Sequence, residues 1–150
     1  MTQHQETQSI AFLVISGARL FNSAFEKRVS IAGLELTPGE ARTLLTIAAI
    51  NGSRQTEIAA RIGVEPMTLC AYLDRLEGLS LVERQQDQKD RRSKRVFLAP
   101  ASTVMLKEIR IEIDALITQA TKGMTKTEVD TMHRSLTLLN SNLQNLQDQP

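Results

Sequence analysis

The chain has 150 residues, is 41% hydrophobic and 3% aromatic, and carries a formal net charge of only +1. That length suits one domain, or a domain with a helical extension, and the charge taken whole does not announce a nucleic-acid binder. No apolar run approaches the ~20 residues that span a bilayer, the first residues lack a secretory-signal pattern, and the single Cys excludes an internal disulfide and fits a reducing cytoplasm.

Residues 8–32 form the first periodic segment. Ile10, Leu13, Val14, Gly17, Ala18, Phe21, Ala24, Phe25 and Val29 recur at helical spacing. Phe12, Ile15 and Leu20 make the same helix apolar on more than one face, the mark of a helix buried against two partners. Thr37-Pro38-Gly39-Glu40 is a helix start: Thr37 caps, Pro38 fills the first turn, and Glu40 holds the capping-box position. The helix it opens, 38–50, carries Ala41, Leu44, Leu45, Ile47 and Ala48. Asn51-Gly52-Ser53 ends it.

Ile58, Ala59 and Ile62 then share one face of a short helix. Gly63 stops it, because glycine takes a left-handed C-terminal turn without steric cost. Glu65-Pro66 restarts a helix, with Leu69, Leu73 and Leu76 as its buried stripe. Two β-prone runs, 81–84 and 95–98, flank a polar loop. Helix, tight turn, helix and hairpin make a helix-turn-helix with a wing. Charge concentrates in the hairpin: Arg84, Lys89, Arg91, Arg92, Lys94 and Arg95 stand against Asp87 and Asp90 alone.

A helix over 100–121 follows, with Val104, Met105, Ile109, Ile113, Leu116 and Ile117. Lys122-Gly123-Met124-Thr125 breaks it, and Thr125 with Glu128 repeats the capping box. Val129, Met132, Leu136, Leu139, Leu143 and Leu146 then recur in steps of three and four. That narrow seam belongs to a helix packed along another helix, so these six are the candidate dimerisation residues.

The middle of the chain resembles the winged helix of MarR/SlyA-type bacterial transcription regulators. The resemblance lies in Leu36-Thr37 opening a helix, the Ile58-Ala59 pair, Arg75-Leu76-Glu77 closing the second helix and Leu81-Val82-Glu83-Arg84. Most specific is Asp90-Arg91-Arg92-Ser93-Lys94-Arg95-Val96-Phe97-Leu98, against a family wing of D-x-R, basic residues and V-x-L-T; Ala99 replaces the final Thr. The motifs cover residues 36–110, and length and helix order cover the rest. The resemblance implies a mainly α fold with a small hairpin wing. Residues 37–100 would form the DNA-binding lobe, and 8–33 and 101–148 a helical dimerisation region. It also implies a homodimeric regulator, usually a repressor, that binds a pseudo-palindromic double-stranded DNA operator, with no cofactor and no membrane partner.

On the second helix of the motif, Met67, Thr68, Ala71, Asp74 and Arg75 point away from the leucine stripe. A helix-turn-helix places that face in the major groove. Thr68 can reach a base or phosphate, Met67 and Ala71 can meet thymine methyls, and Arg75 touches phosphate. Many family members carry Arg where this chain has Ala71. Tyr72, at the stripe's edge, divides evenly between core packing and DNA contact. Arg54 and Gln55, opening the first helix of the motif, join the DNA face. In the wing, Asp90 would brace Arg92 for the minor groove, while Lys89, Arg91, Lys94 and Arg95 neutralise phosphates.

The resemblance further implies a small aromatic or anionic effector bound between the dimerisation helices and the winged helix. The candidates by position are Phe12, Ile15, Arg19 and Phe21, with Leu44 and Ile47. Cys70 flanks the leucine stripe, and burial of an inert thiol is the favoured expectation. His133 has no Cys or His at ligand spacing, and no nucleophile, base and acid combine into a catalytic site. Two alternatives remain: a redox-responsive regulator working through Cys70, and an interaction protein that keeps the fold without DNA binding.

Overall fold

The structure is a computed structural model and describes residues 9–149. The elements are α1 (Ile10–Ile31), α2 (Pro38–Ala49), α3 (Gln55–Ile62), α4 (Pro66–Gly78), β1 (Val82–Gln86), β2 (Lys94–Leu98), α5 (Ser102–Ala120) and α6 (Lys126–Gln147). The fold is mainly helical with one antiparallel hairpin. Residue 8, where the first periodic segment was expected to begin, lies outside the described residues. The chain divides into two compact units at Asp114, the first holding α1 to α4, the hairpin and most of α5.

Local chemistry sets the helix ends. Ser9 caps α1 by accepting from the Phe12 amide at 3.1 Å. Thr37 and Glu40 close a full capping box at α2: the Thr37 amide donates to Glu40 Oε2 at 2.9 Å, and the Glu40 amide donates to Thr37 Oγ1 at 3.3 Å. Gly63 ends α3 at φ 77°, in the left-handed region that glycine enters freely. Pro66 opens α4 at a position where an amide N–H would have no helical partner.

The core of the first unit draws on every one of its elements. Phe25 and Val29 of α1, Leu44 and Ile47 of α2, and Ile58 of α3 are buried. So are Leu69, Leu73 and Leu76 of α4, Val82 and Val96 of the hairpin, and Leu106 and Ile109 of α5. Tyr72 packs its ring against Gly39 of α2, where a methyl group would collide with it. An ion pair between Arg28 and Glu112, at 3.1 Å, joins α1 to α5.

The hairpin runs further than the apolar runs indicate. Its register is Val82↔Leu98 through Gln86↔Lys94. Backbone pairing needs no apolar side chain, so the polar Gln85 and Gln86 extend the ladder. Residues 51–54 tie the hairpin to the start of α3. The Gly52 amide donates to the Val96 carbonyl at 2.9 Å, the Val96 amide to the Ser53 carbonyl at 3.0 Å, and the Leu98 amide to Asn51 Oδ1 at 2.8 Å. In the second unit, Thr125 and Glu128 form the second capping box, and α6 has no buried residue.

Candidate nucleic-acid interface

The leucines of α4 face the core, so helical geometry turns Met67, Thr68, Cys70 and Ala71 outward, and all four are exposed. Met67 is 86% exposed, the highest value among the large exposed hydrophobics of the described residues. Arg75 also reaches the surface, but its guanidinium leans back on α2. Its Nη2 donates to the Glu35 carbonyl at 3.4 Å, and its Nε lies 4.0 Å from Glu40. Arg84, counted by sequence in the basic patch, bridges Asp74 at 2.5 Å and Glu77 at 3.0 Å. The Arg84 side-chain hydrogen bond, and then its backbone one, hold the Glu77 carboxyl below the usual carboxylate range. Arg84 therefore fastens β1 to α4.

The wing loop, residues 87–93, is closed by its own backbone. The Asp87 amide donates to the Ser93 carbonyl at 2.9 Å, and the Ser93 amide to the Asp90 carbonyl at 3.0 Å. Asp90 makes no side-chain ion pair with Arg92 of the expected kind and bonds instead to the backbone and hydroxyl of the loop. Its Oδ1 accepts from the Arg92 backbone amide at 3.0 Å, and its Oδ2 from Ser93 Oγ at 3.3 Å. An Asp carboxylate reaches the amide two residues on without effort, which leaves the Arg92 side chain to extend outward. Lys89, Arg91, Arg92 and Lys94 are all exposed, and none makes a side-chain hydrogen bond or ion pair among the described residues.

Two residues expected on the DNA face turn inward. Arg54 Nε donates to Asp87 Oδ2 at 2.7 Å, and Arg95 Nε lies 3.2 Å from the same oxygen. Arg95 Nη1 also donates to the Gly52 carbonyl at 2.8 Å. Asp87 has a 3% exposed side chain, and a buried carboxylate has to be paired. The Lys89 backbone amide, at 3.0 Å, supplies a further bond to Oδ1. That amide first, then Arg54, hold the Asp87 carboxyl below its ordinary range, and Asp87 raises the Arg54 pKa in turn. Asp87 thus pins the wing to the first turn of α3. Sequence reading missed this role, because Arg54 stands 33 positions upstream and no local pattern pairs it with Asp87.

Gln55 also turns toward the protein: its Nε2 donates to Cys70 Sγ at 3.7 Å. Arg54, Gln55, Cys70, Arg92, Ser93 and Lys94 line a cleft of about 290 Å³ between the helices and the wing. Cys70 is exposed, contrary to the expected buried thiol. It flanks the leucine stripe on the solvent side, where hydrophobicity alone cannot decide its direction.

Among the effector candidates, Leu44 and Ile47 are fully buried. Both lie in the lobe's core, on a helix that packs against α3 and α4. Phe12, Ile15 and Arg19 are exposed on α1, and Phe21 is half-buried. The dimerisation candidates form an open seam in the second unit: Met132, Leu136, Leu143 and Leu146 are exposed, Val129 and Leu139 half-buried. Among the described residues, no cluster of His, Cys, Asp or Glu could hold a metal ion, and no helix is long and apolar enough to cross a membrane.

Residues 36–94 match the MarR family, whose members are transcription regulators and not enzymes. A MarR transcriptional regulator from Methanosarcina mazei Go1 superposes with a TM-score of 0.77 at 19% identity, over 91% of this chain and 97% of that one. A MarR family transcriptional regulator from Silicibacter pomeroyi gives 0.73 at 25% identity, over 88% of each chain. CouR from Rhodococcus jostii RHA1, solved with p-coumaroyl-CoA bound, gives 0.68 at 22% identity, over 87% of this chain and 90% of that one.

Proposed function

We propose that this chain, whose residues 36–94 match the MarR family, binds double-stranded DNA as a homodimer and represses transcription from a pseudo-palindromic operator. The carrying observation is the wing tip. Arg91 and Arg92 stand exposed on a loop that Asp87 and Asp90 hold in place, with Lys94 exposed at the start of β2 beside it. The exposed face of α4 belongs to the same lobe. A helix in the major groove and cationic side chains along the flanking backbone are what such a lobe supplies. The symmetry of the site follows from two copies of the lobe.

The dimer would use surfaces that one chain leaves open. Ile10, Leu13 and Ile15 on α1 are exposed, as are Met132, Leu136, Leu143 and Leu146 on α6. Water-exposed apolar stripes on that scale mark association surfaces. An aromatic or anionic effector would seat against Phe12, Ile15, Arg19 and Phe21, in line with the aromatic thioester held by CouR. Leu44 and Ile47 drop out of that set because they are sealed in the core.

Binding to a duplex pool of random sequence, followed over a range of salt, tests the reading. Retention that weakens steeply with salt and enriches inverted repeats supports it; no retention at low salt refutes it. The exposure of Cys70 favours a second reading, a regulator that responds to oxidation of its thiol by peroxide to a sulfenic acid and water. DNA binding by the wild-type protein that ignores hydrogen peroxide removes it.

A further inference from the structure

Sequence-specific reading of a purine in the major groove uses a bidentate side chain: Arg or Lys on guanine, Asn or Gln on adenine. The sequence of α4 contains no Lys, Asn or Gln, and its one arginine is Arg75. That arginine is drawn back to the Glu35 carbonyl and Glu40. Its neighbours are committed as well. Arg84 is held by Asp74 and Glu77, and the Gln55 amide is turned to Cys70 Sγ. What remains on the outward face is Met67, Thr68, Cys70 and Ala71, all exposed. Positions 70 and 71 lie one turn on from position 67, and the three form a single soft, apolar strip.

The thymine C5-methyl is the group on a major-groove base edge that an apolar surface recognises. We propose that α4 selects its half-site through thymine methyls, with Met67 and Ala71 as the reading surface and Cys70 between them. The inference rests on the DNA-binding reading above. Thr68 adds one hydroxyl, which serves any base and so discriminates little. Glu65, exposed at the helix N-cap and making no side-chain capping bond, accepts hydrogen bonds only. It can take one from an amino group on cytosine or adenine, and it disfavours a phosphate there. Methyl selection also has a consequence for modified DNA. A 5-methylcytosine carries its methyl at the same edge of the groove and should substitute in part for thymine, where plain cytosine does not.

The test uses the full chain and a duplex recovered from the random pool. Each thymine is replaced in turn by deoxyuridine, which lacks only the methyl. At one or two positions in each half-site, affinity should fall about three- to fivefold per methyl lost, the scale of burying one such group. Met67→Ala should abolish the thymine-over-uracil preference at one of those positions, while its melting temperature stays that of the wild type. Replacing that thymine–adenine pair by cytosine–guanine should weaken binding, and 5-methylcytosine should recover part of the loss. Uniform affinity for every deoxyuridine duplex would overturn the inference while leaving DNA binding itself intact. So would a uracil penalty that persists unchanged in both Met67→Ala and Ala71→Ser. A protein that retains no duplex at any salt would overturn the underlying reading, and this one with it.

Discussion

Asp87 accepts from the Lys89 amide and the Arg54 side chain and lies 3.2 Å from Arg95, so its charge holds three parts of the lobe together. Its carboxyl titrates below the ordinary range, which means that its stabilisation is present above the unfolded-state pKa of about 3.9 and is lost as pH falls through the lowered folded value. Asp87→Asn should therefore melt at a lower temperature than wild type at pH 7, and the gap should close on acidification below about pH 4. Thermal unfolding of both proteins from pH 7 to pH 3 measures this. A constant gap would show that the charge is not what Asp87 contributes. Asp90 acts differently, on the backbone of Arg92 and Ser93. Asn also supports that turn, so Asp90→Asn should keep most of the DNA affinity, whereas Asp90→Ala should lose part of it; equal affinities for the two variants would refute the backbone role. The motif around Asp90 was legible in the sequence because its partners are two and three residues away. Asp87 was not, since Arg54 stands 33 positions upstream and only the folded hairpin brings it near.

At the level of elements, the capping boxes at Thr37 and Thr125 and the left-handed Gly63 were readable because each is a local pattern with a local cause. Thr37→Ala should cost about 1 kcal/mol of stability; a melting curve unchanged from wild type would mean that α2 does not depend on its cap. The contact between α2 and α4 was not readable. Tyr72 rests on Gly39, and nothing in either residue alone says which face of α4 the tyrosine takes. Gly39→Ala should displace the ring and destabilise the lobe by roughly 1–3 kcal/mol, as overpacking does. Denaturant unfolding checks this, and an unaltered midpoint would contradict the close packing. The outward turn of Cys70 and the inward turn of Arg54 and Arg95 follow the same lesson. Residues at the margin of a buried stripe are placed by tertiary partners, which helical spacing does not report.

For the molecule as a whole, the seam on α6 was visible as a repeat of three and four, and the structure leaves that seam without a buried residue. Leu139→Glu with Leu143→Glu should convert a dimer to a monomer or an unfolded chain; light scattering at micromolar concentration measures it, and a wild-type monomer there would refute the dimer. The basic wing was visible as local composition although the net charge is only +1, because a few exposed cations on one loop outweigh a neutral total in contact with phosphate. On this reading the lobe holds DNA through its wing and α4. The most direct measurement is the affinity of wild type and Arg92→Ala for one recovered inverted-repeat duplex over a range of salt. Wild type should bind with a steep inverse salt dependence. Arg92→Ala should remain folded, bind more weakly at every salt, and lose about one counterion from the slope for each wing. Equal affinity and equal slope for the two proteins would contradict DNA binding through the wing.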